Sequence, residues 1–330
     1  MSATLMKAAV YTNYGSPEAL AIRDVVRPVP QNNEVLVKVY ASSVNRTDEA
    51  YLRAKPWFIR FFSGLLRPRR TILGNEYAGV VEAVGAHVTA FRQGEKVFGY
   101  AEPEFGGHAE YLVAHADGPI ARMPSNLSFT EAAACNEGLH YAYSNVRAAP
   151  VSSETSVLIN GTTGAIGSAA VQLYKYFGAH VTAVCDTARV ELVASLGADV
   201  VLDYKQVDFT KSKETFDIVF DAVGNSSFFA CKHLITPGGA FFSTDLGPYA
   251  SNPLLALWTR QFGSYQGRRI LFPFPTHSKE DIEFFVMLIE EGQFKPLLDR
   301  TYPLAEIVEA FHYVEAGHKT GNVVITVHEP

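Results

Sequence analysis

The stretch VLINGTTGAIGSAAVQLYKYFG, Val157 to Gly178, carries three glycines in a Gly-x-x-Gly-x-x-Gly spacing. Val157 to Asn160 reads as the end of a buried strand, and the residues after Gly167 read as a helix. A strand that runs through glycines straight into a helix suits one kind of chemistry. Backbone without side chains lets a pyrophosphate approach, and the positive N-terminal end of the helix holds its charge. Gly161, Thr162, Thr163, Gly164, Ala165, Ile166 and Gly167 are therefore read as a dinucleotide-binding turn. The spacing is not G-x-G-x-x-G, which shifts the reading within nucleotide-binding proteins but not away from them.

The end of the next strand selects the dinucleotide. An acid there holds the ribose hydroxyl pair of NAD, and a cation holds the 2′-phosphate of NADP. In VTAVCDTAR, Asp186 argues for NAD and Arg189 for NADP. Elsewhere, Asn45 precedes Asp48 by three residues, the spacing of a helix cap, and its neutral amide is equally a hydrogen-bond donor. Tyr51 offers a phenol that donates a hydrogen bond or a proton. His140 is a proton donor or a buried structural histidine. His108, His140 and Glu76 are metal-ligand types without a recognisable ligand spacing.

These residues need elements to position them. Lys7 to about Met123 reads as short strands between turns, with apolar alternation in EVLVKVYASSV and brief Gly-bounded runs such as GVVEAVG and KVFGY. From about Ser152, short buried strands (SVLING, HVTAVC, FDIVFDAVG, GGAFFST) alternate with helical stretches. That alternation calls for a doubly wound parallel sheet, an α/β fold. After about Phe272 a helical KEDIEFFVMLIEEGQ leads to a closing strand, GNVVITV, best housed back in the N-terminal β domain. The expected domains are thus 1–123 with 272–330, and 124–271.

The chain has 330 residues, 28 Lys+Arg against 34 Asp+Glu and a formal charge of −6, so no global charge points to nucleic acid. The cysteines, Cys135, Cys185 and Cys231, are far apart and odd in number, which suits a reducing compartment. With no signal-peptide core and no long uncharged apolar run, the expectation is a cytoplasmic protein without a membrane span.

Several motifs in order, MKAAVYTNYGSPEAL, EVLVKVYASSVNRTD, GNEYAGVVEAVG, GEKVFGY, GGHAEYLV, NGTTGAIGSAAVQLYK, DIVFDAVG, TPGGAFF and AFHYVEAGHKTGNVVITV, resemble the medium-chain dehydrogenase/reductase superfamily. The resemblance is to its zinc-lacking, quinone oxidoreductase-like branch. It implies a GroES-like catalytic β domain and a Rossmann domain, with the active site in the cleft between them. Asn45 stands where zinc members have a cysteine, and Asn75 where they have a histidine. Amides are poor zinc ligands beside thiolate or imidazole, and Cys135 alone does not hold catalytic zinc, so no metal is expected.

The resemblance adds Tyr204, Val223, Gly224 and Asn322 to the cofactor-binding set. Cys185 occupies the usual position of the ribose-binding acid, and Arg189, Tyr204 and Lys205 tip the balance to NADPH, with NADH possible. Asn45, Tyr51 and His140 are the implied catalytic residues. The expected enzyme is a homodimer that transfers hydride to a lipophilic quinone, enone or other reactive carbonyl. The alternatives are a nucleotide-binding regulatory or RNA-binding protein on the same fold, and a zinc alcohol dehydrogenase. One segment stands apart: Lys55 to Arg70, KPWFIRFFSGLLRPRR, is a packing element, a lid or a membrane-surface helix, and its aromatics favour packing. The stretch YASNPLLALWTRQFGSYQGRR, from Tyr249, is a second insertion suited to a dimer contact or to the far wall of the cleft.

Overall fold

In a computed structural model, which describes residues 4–247, 250–276 and 278–329, the chain forms two compact units. One comprises Met1–Glu137 with His277–Pro330, and the other Gly138–Thr276. Tyr249, where the second insertion-like stretch begins, lies outside the described residues.

The first unit is built on strands. β1 (Leu5–Val10) and β2 (Ala21–Val26) make an antiparallel ribbon. β3 (Glu34–Val44), β4 (Glu76–Val84), β5 (Lys96–Tyr100), β6 (Tyr111–His115) and β7 (Ile120–Arg122) belong to a larger sheet. β3 organises that sheet because its alternate valines, Val35, Val37 and Val39, enter one core with Tyr77, Val81, Val97 and Leu112. The chain then enters the second unit, which holds β8 (Ser156–Asn160), β9 (His180–Cys185), β10 (Val200–Asp203), β11 (Phe216–Asp221), β12 (Ile235–Ser243) and β13 (Arg269–Leu271).

It returns for β14 (Leu298–Pro303) and β15 (Asn322–Thr326), completing the order β14-β15-β3-β4-β5-β7, with β6 also on β3. β15 runs antiparallel to β3 and sets Val323 opposite Val44. The turn before β15 is thereby carried to the end of β3, where the helix Arg46–Arg53 begins. Residues 124–137 stay with this unit. The short helix Phe129–Ala132, capped by Ser128, packs against β3, β4 and β15.

In the second unit all six strands are parallel, in the order β10-β9-β8-β11-β12-β13. The chain winds one way from β8 to β10 and the other way from β11 to β13, so the order reverses beside β8. That reversal is where open α/β sheets bind ligands. The helix after β8, Ala165–Tyr176, is buried continuously from Gly167 to Tyr174, which explains its nearly uncharged sequence.

The Lys55–Arg70 segment is not the packing element its composition favours. Trp57, Phe61, Phe62, Leu65 and Leu66 are all exposed, Leu66 to 84%, while Ser63 in their midst is buried. Among the described residues, no helix is long and apolar enough to cross a membrane.

Candidate functional site

The three glycines of the turn do different things. Gly161 sits at φ +86°, and a Cβ there would fall 1.8 Å from Val223 Cγ2, so the turn after β8 lies directly against the turn after β11. A Cβ on Gly167 would fall 2.1 Å from the Gly161 carbonyl oxygen, which makes that glycine the condition for seating the helix on the turn. Gly164, the N-cap residue of that helix, is different: a Cβ there would meet nothing closer than the Gly161 oxygen at 3.8 Å. The space over it is open. Thr162 ties the turn down through its hydroxyl, which donates to the Val184 carbonyl at 3.0 Å, while Thr163, Ala165 and Ile166 are only half-buried.

Asp221, which no sequence motif singles out, shapes the facing turn. It ends β11 and accepts from Val223 N, Gly224 N and Ser226 N at 2.9–3.3 Å, and from the Asn160 amide at 3.1 Å. Burial holds its carboxyl above the usual range. The sequence signal for it is an acid at a strand end with Gly224 close behind.

At the end of β9, Asp186 caps the turn Thr187–Arg189 by accepting from Ala188 N at 2.9 Å. Its other oxygen accepts from the Arg189 guanidinium at 2.7 Å. The two residues that conflict in the sequence are thus ion-paired, and the pairing softens the repulsion Asp186 would exert on a phosphate. Tyr204, 52% exposed, follows β10, its N–H donating to the Cys185 carbonyl at 3.0 Å.

The first unit holds a buried polar cluster drawn from four segments of the chain. Asn45 Nδ2 donates to Glu76 Oε2 at 2.8 Å and to Ser43 Oγ at 3.1 Å, and Lys319 Nζ donates to Asn45 Oδ1 at 3.2 Å. An ammonium only donates, so Lys319 fixes which way this amide points. Ser43 Oγ donates to Glu76 Oε2 at 2.5 Å, and Glu137 N donates to Glu76 Oε1 at 2.7 Å. Glu137 accepts from Thr47 Oγ1 at 2.5 Å and from Asn75 Nδ2 at 3.1 Å. Asp48 accepts from Asn45 N and Gly74 N, both at 2.9 Å, tying the start of the helix to the loop before β4.

Three carboxyl groups thus share a dry site with one ammonium. Burial, then mutual repulsion, holds Asp48 and Glu76 above the carboxylate range, and burial raises Glu137 as well. Burial likewise lowers Lys319, against the pull of Glu137 and Glu76. Lys319 commits a second N–H to the Gly321 carbonyl at 2.7 Å, is only half-buried, and keeps a third N–H with no partner among the described residues. Asn45 is the N-cap residue the spacing predicts, but both of its amide hydrogens are engaged inside the cluster.

Tyr51 lies edge-on to Phe105 at 4.6 Å, and burial pushes its phenol up to about 12. His140 is buried in the helix Asn136–Ala148, in the part of it that belongs to the second unit. Asn322 is buried in the first unit, its amide donating to the Ala134 and Leu297 carbonyls at 3.0 and 3.1 Å. His108 Nε2 meets the Ser43 carbonyl at 2.8 Å, and burial lowers the imidazole to about 4, so it is neutral. Cys135 is buried, and its thiol, pushed up by burial, donates to the Glu131 carbonyl. Among the described residues, no group of three or more His, Cys, Asp or Glu is arranged to hold a metal.

The two units are a GroES-like β domain and a Rossmann domain. Residues 31–125 match the family profile "Alcohol dehydrogenase GroES-like domain", and residues 196–325 match "Zinc-binding dehydrogenase". The chain is 33% identical to 2-methylene-furan-3-one reductase of Solanum lycopersicum, over 97% of this chain and 79% of that protein. It is 29% identical to the chloroplastic NADPH-dependent alkenal/one oxidoreductase of Arabidopsis thaliana, over 97% and 79%. Among solved structures, the quinone oxidoreductase of Coxiella burnetii superposes with a TM-score of 0.87 at 26% identity, over 98% of this chain and 100% of that one. The chain therefore belongs to the medium-chain dehydrogenase/reductase superfamily, in its zinc-lacking, quinone oxidoreductase-like branch. It is an oxidoreductase, and its cofactor is a nicotinamide dinucleotide.

Proposed function

We propose that the protein is a zinc-independent reductase that uses NADPH, with NADH the poorer cofactor, to reduce a quinone, an enone or another reactive carbonyl. The observation that carries this reading is the open space over Gly164, flanked by two glycines whose own Cβ positions are blocked. Such a turn leaves room where a pyrophosphate needs it and nowhere else. The similarity to reductases of a methylene-furanone and of alkenals supports the substrate class.

When bound, the dinucleotide supplies the hydride. The backbone of Gly161 to Gly167 holds its pyrophosphate, with Thr162 anchoring the turn and Thr163, Ala165 and Ile166 bordering the open space. Arg189, Tyr204 and Lys205 hold the 2′-phosphate end, with Asp186 orienting Arg189. Val223 and Gly224 wall the turn from the β11 side, and Asn322 is kept as a cofactor-side residue on the resemblance alone.

Zinc does not fit the residues present. Asn45 Oδ1 already accepts from an ammonium, Asn75 donates to Glu137, and the Cys135 thiol keeps its proton. A positive Lys319 at this spot also opposes a divalent cation. The same ammonium is suited to stabilise a developing oxyanion, a task the Asn45 hydrogens are not free to take. Asn45 then positions Lys319, and Tyr51 and His140 remain candidate proton donors.

Assaying NADPH and NADH oxidation against a panel of quinones, enones and aldehydes, with elemental analysis of the same preparation, tests the whole reading. Turnover with NADPH and well under one zinc per chain is expected. A stoichiometric zinc needed for activity, or nucleotide binding without turnover on any member, would overturn it.

For the quaternary state we propose a homodimer, supported by Leu254, Leu257, Trp258 and Phe262, which stand exposed on the helix Ser251–Phe262. Sedimentation velocity on Leu257→Glu checks this. The three free, buried cysteines support a cytoplasmic location, which fluorescent tagging of the full chain tests.

A further inference from the structure

The Lys55–Arg70 lobe of the first unit is inside out. Its polar and smallest residues, Ser63 and Gly64, are buried, whereas Trp57, Phe61, Phe62, Leu65 and Leu66 are 60–84% exposed. The inversion is held in place from beneath. Tyr14 OH lies 2.7 Å from Ser63 Oγ and donates to the Gly64 carbonyl at 2.6 Å, Arg69 N donates to the Ser63 carbonyl at 2.8 Å, and Arg60 stacks over the Tyr14 ring at 4.8 Å. The apolar side chains therefore face outward because the backbone beneath them is pinned, not because the segment failed to pack.

Charge says what covers them. Between Lys55 and Arg70 the chain carries Lys55, Arg60, Arg67, Arg69 and Arg70 and no acid, in a protein whose formal charge is −6. Arg70 pairs with Glu104 and Lys55 lies within charge range of Glu49, while Arg60 stacks on Tyr14 and Arg67 and Arg69 flank the exposed leucines. A two-fold contact between copies of this chain, centred on the patch, would set one cationic group against an identical one. A bilayer with anionic headgroups complements both features: aromatic and leucine side chains enter the headgroup boundary while flanking arginines meet the phosphates.

We propose that this lobe is a membrane-surface anchor that seats the protein on anionic lipid. The anchoring is peripheral. It is independent of the cofactor and the reaction, since none of its residues lies in the glycine turn or the polar cluster.

The test uses the full chain and vesicles of phosphatidylcholine, with or without phosphatidylserine at about one third of the lipid. Cosedimentation at least about tenfold stronger with phosphatidylserine, and weakening as salt is raised, is expected. The protein has two tryptophans, so Trp258→Phe leaves Trp57 as the sole reporter, and its emission should shift to the blue on binding. Phe62→Ser with Leu66→Ser, and separately Arg67→Glu with Arg69→Glu, should each abolish most of the binding while solution activity is kept. The proposal is overturned by no preference for phosphatidylserine, by binding that survives both double variants, or by a concentration-dependent self-association that the Phe62/Leu66 variant removes.

Discussion

The glycine turn and the buried polar cluster solve opposite problems. On the proposed reading, the turn of the second unit works with almost no side chains: seven consecutive residues, Gly161 to Gly167, would hold a ligand by leaving space over Gly164. The cluster of the first unit works by filling space, with Ser43, Asn45, Asp48, Glu76, Glu137 and Lys319 locking one another. A site made of backbone is local and tolerates little. A site made of side chains is assembled across hundreds of residues, and its charges respond to pH.

The largest expected effect falls on the cluster. Lys319→Met should lower kcat by about 10²–10³, the usual loss for one donor to a developing oxyanion, with little change in the KM for NADPH. Lys319→Arg should restore part of it. Burial lowers the lysine from its ordinary value, so wild-type kcat should fall as pH rises through that lowered value, and the Met variant should lose this limb. An unchanged kcat, or an unchanged pH profile, would leave the lysine a purely structural role.

Next comes the turn, where neighbouring glycines should fail differently. Gly164→Val should raise the KM for both cofactors by at least about tenfold with the melting temperature retained, because its side chain enters only the open space. Gly167→Ala should instead destabilise the fold by about 1–3 kcal/mol, since its Cβ meets the Gly161 oxygen. If both variants lost stability equally, the space over Gly164 would be part of the core and not a ligand's.

A pH series on stability separates the regions again. Glu76 keeps a proton in the folded state that the unfolded chain releases above its ordinary value of 4.5. Its folded value is raised to about 8, so the proton's contribution is full below the unfolded value of 4.5 and is lost as pH rises from there through the folded value. Urea midpoints should therefore fall with rising pH in the wild type, and Glu76→Gln should flatten the slope while Gly164→Val leaves it unaltered. An identical slope in the Gln variant would mean that Glu76 is ionised throughout.

The smallest effect concerns cofactor choice. Arg189→Ala should raise the KM for NADPH by roughly three- to tenfold and that for NADH less, because Arg189 already shares its charge with Asp186. Asp186→Ser should favour NADPH further. Equal changes for both cofactors would detach Arg189 from the 2′-phosphate.

The turn is legible in the amino-acid sequence because its chemistry is contiguous. Strand, glycines and helix follow one another along the chain, and geometry at that scale is fixed by local sterics. Glu76 and Asn45 stand out by their positions in GNEYAG and SVNRTD, but Thr47, Glu137 and Lys319 do not. Nothing in EGLHYAY or HKTGN announces a shared site. The outward aromatics of Lys55–Arg70 read as packing in the sequence because composition gives the amount of apolar surface and not its direction.

The sequence by itself determined two things: where strands and helices alternate, and where backbone must stay bare. Periodicity and glycine spacing carry both within a few residues. Only the tertiary structure decided that β15 comes back beside β3 and carries Lys319 to Asn45, 274 positions away in the chain. It also decided that three carboxyl groups lose their water together, and that Tyr14 pins Ser63 and turns Trp57 outward. Burial and long-range pairing belong to the packed chain, and no window of sequence contains them.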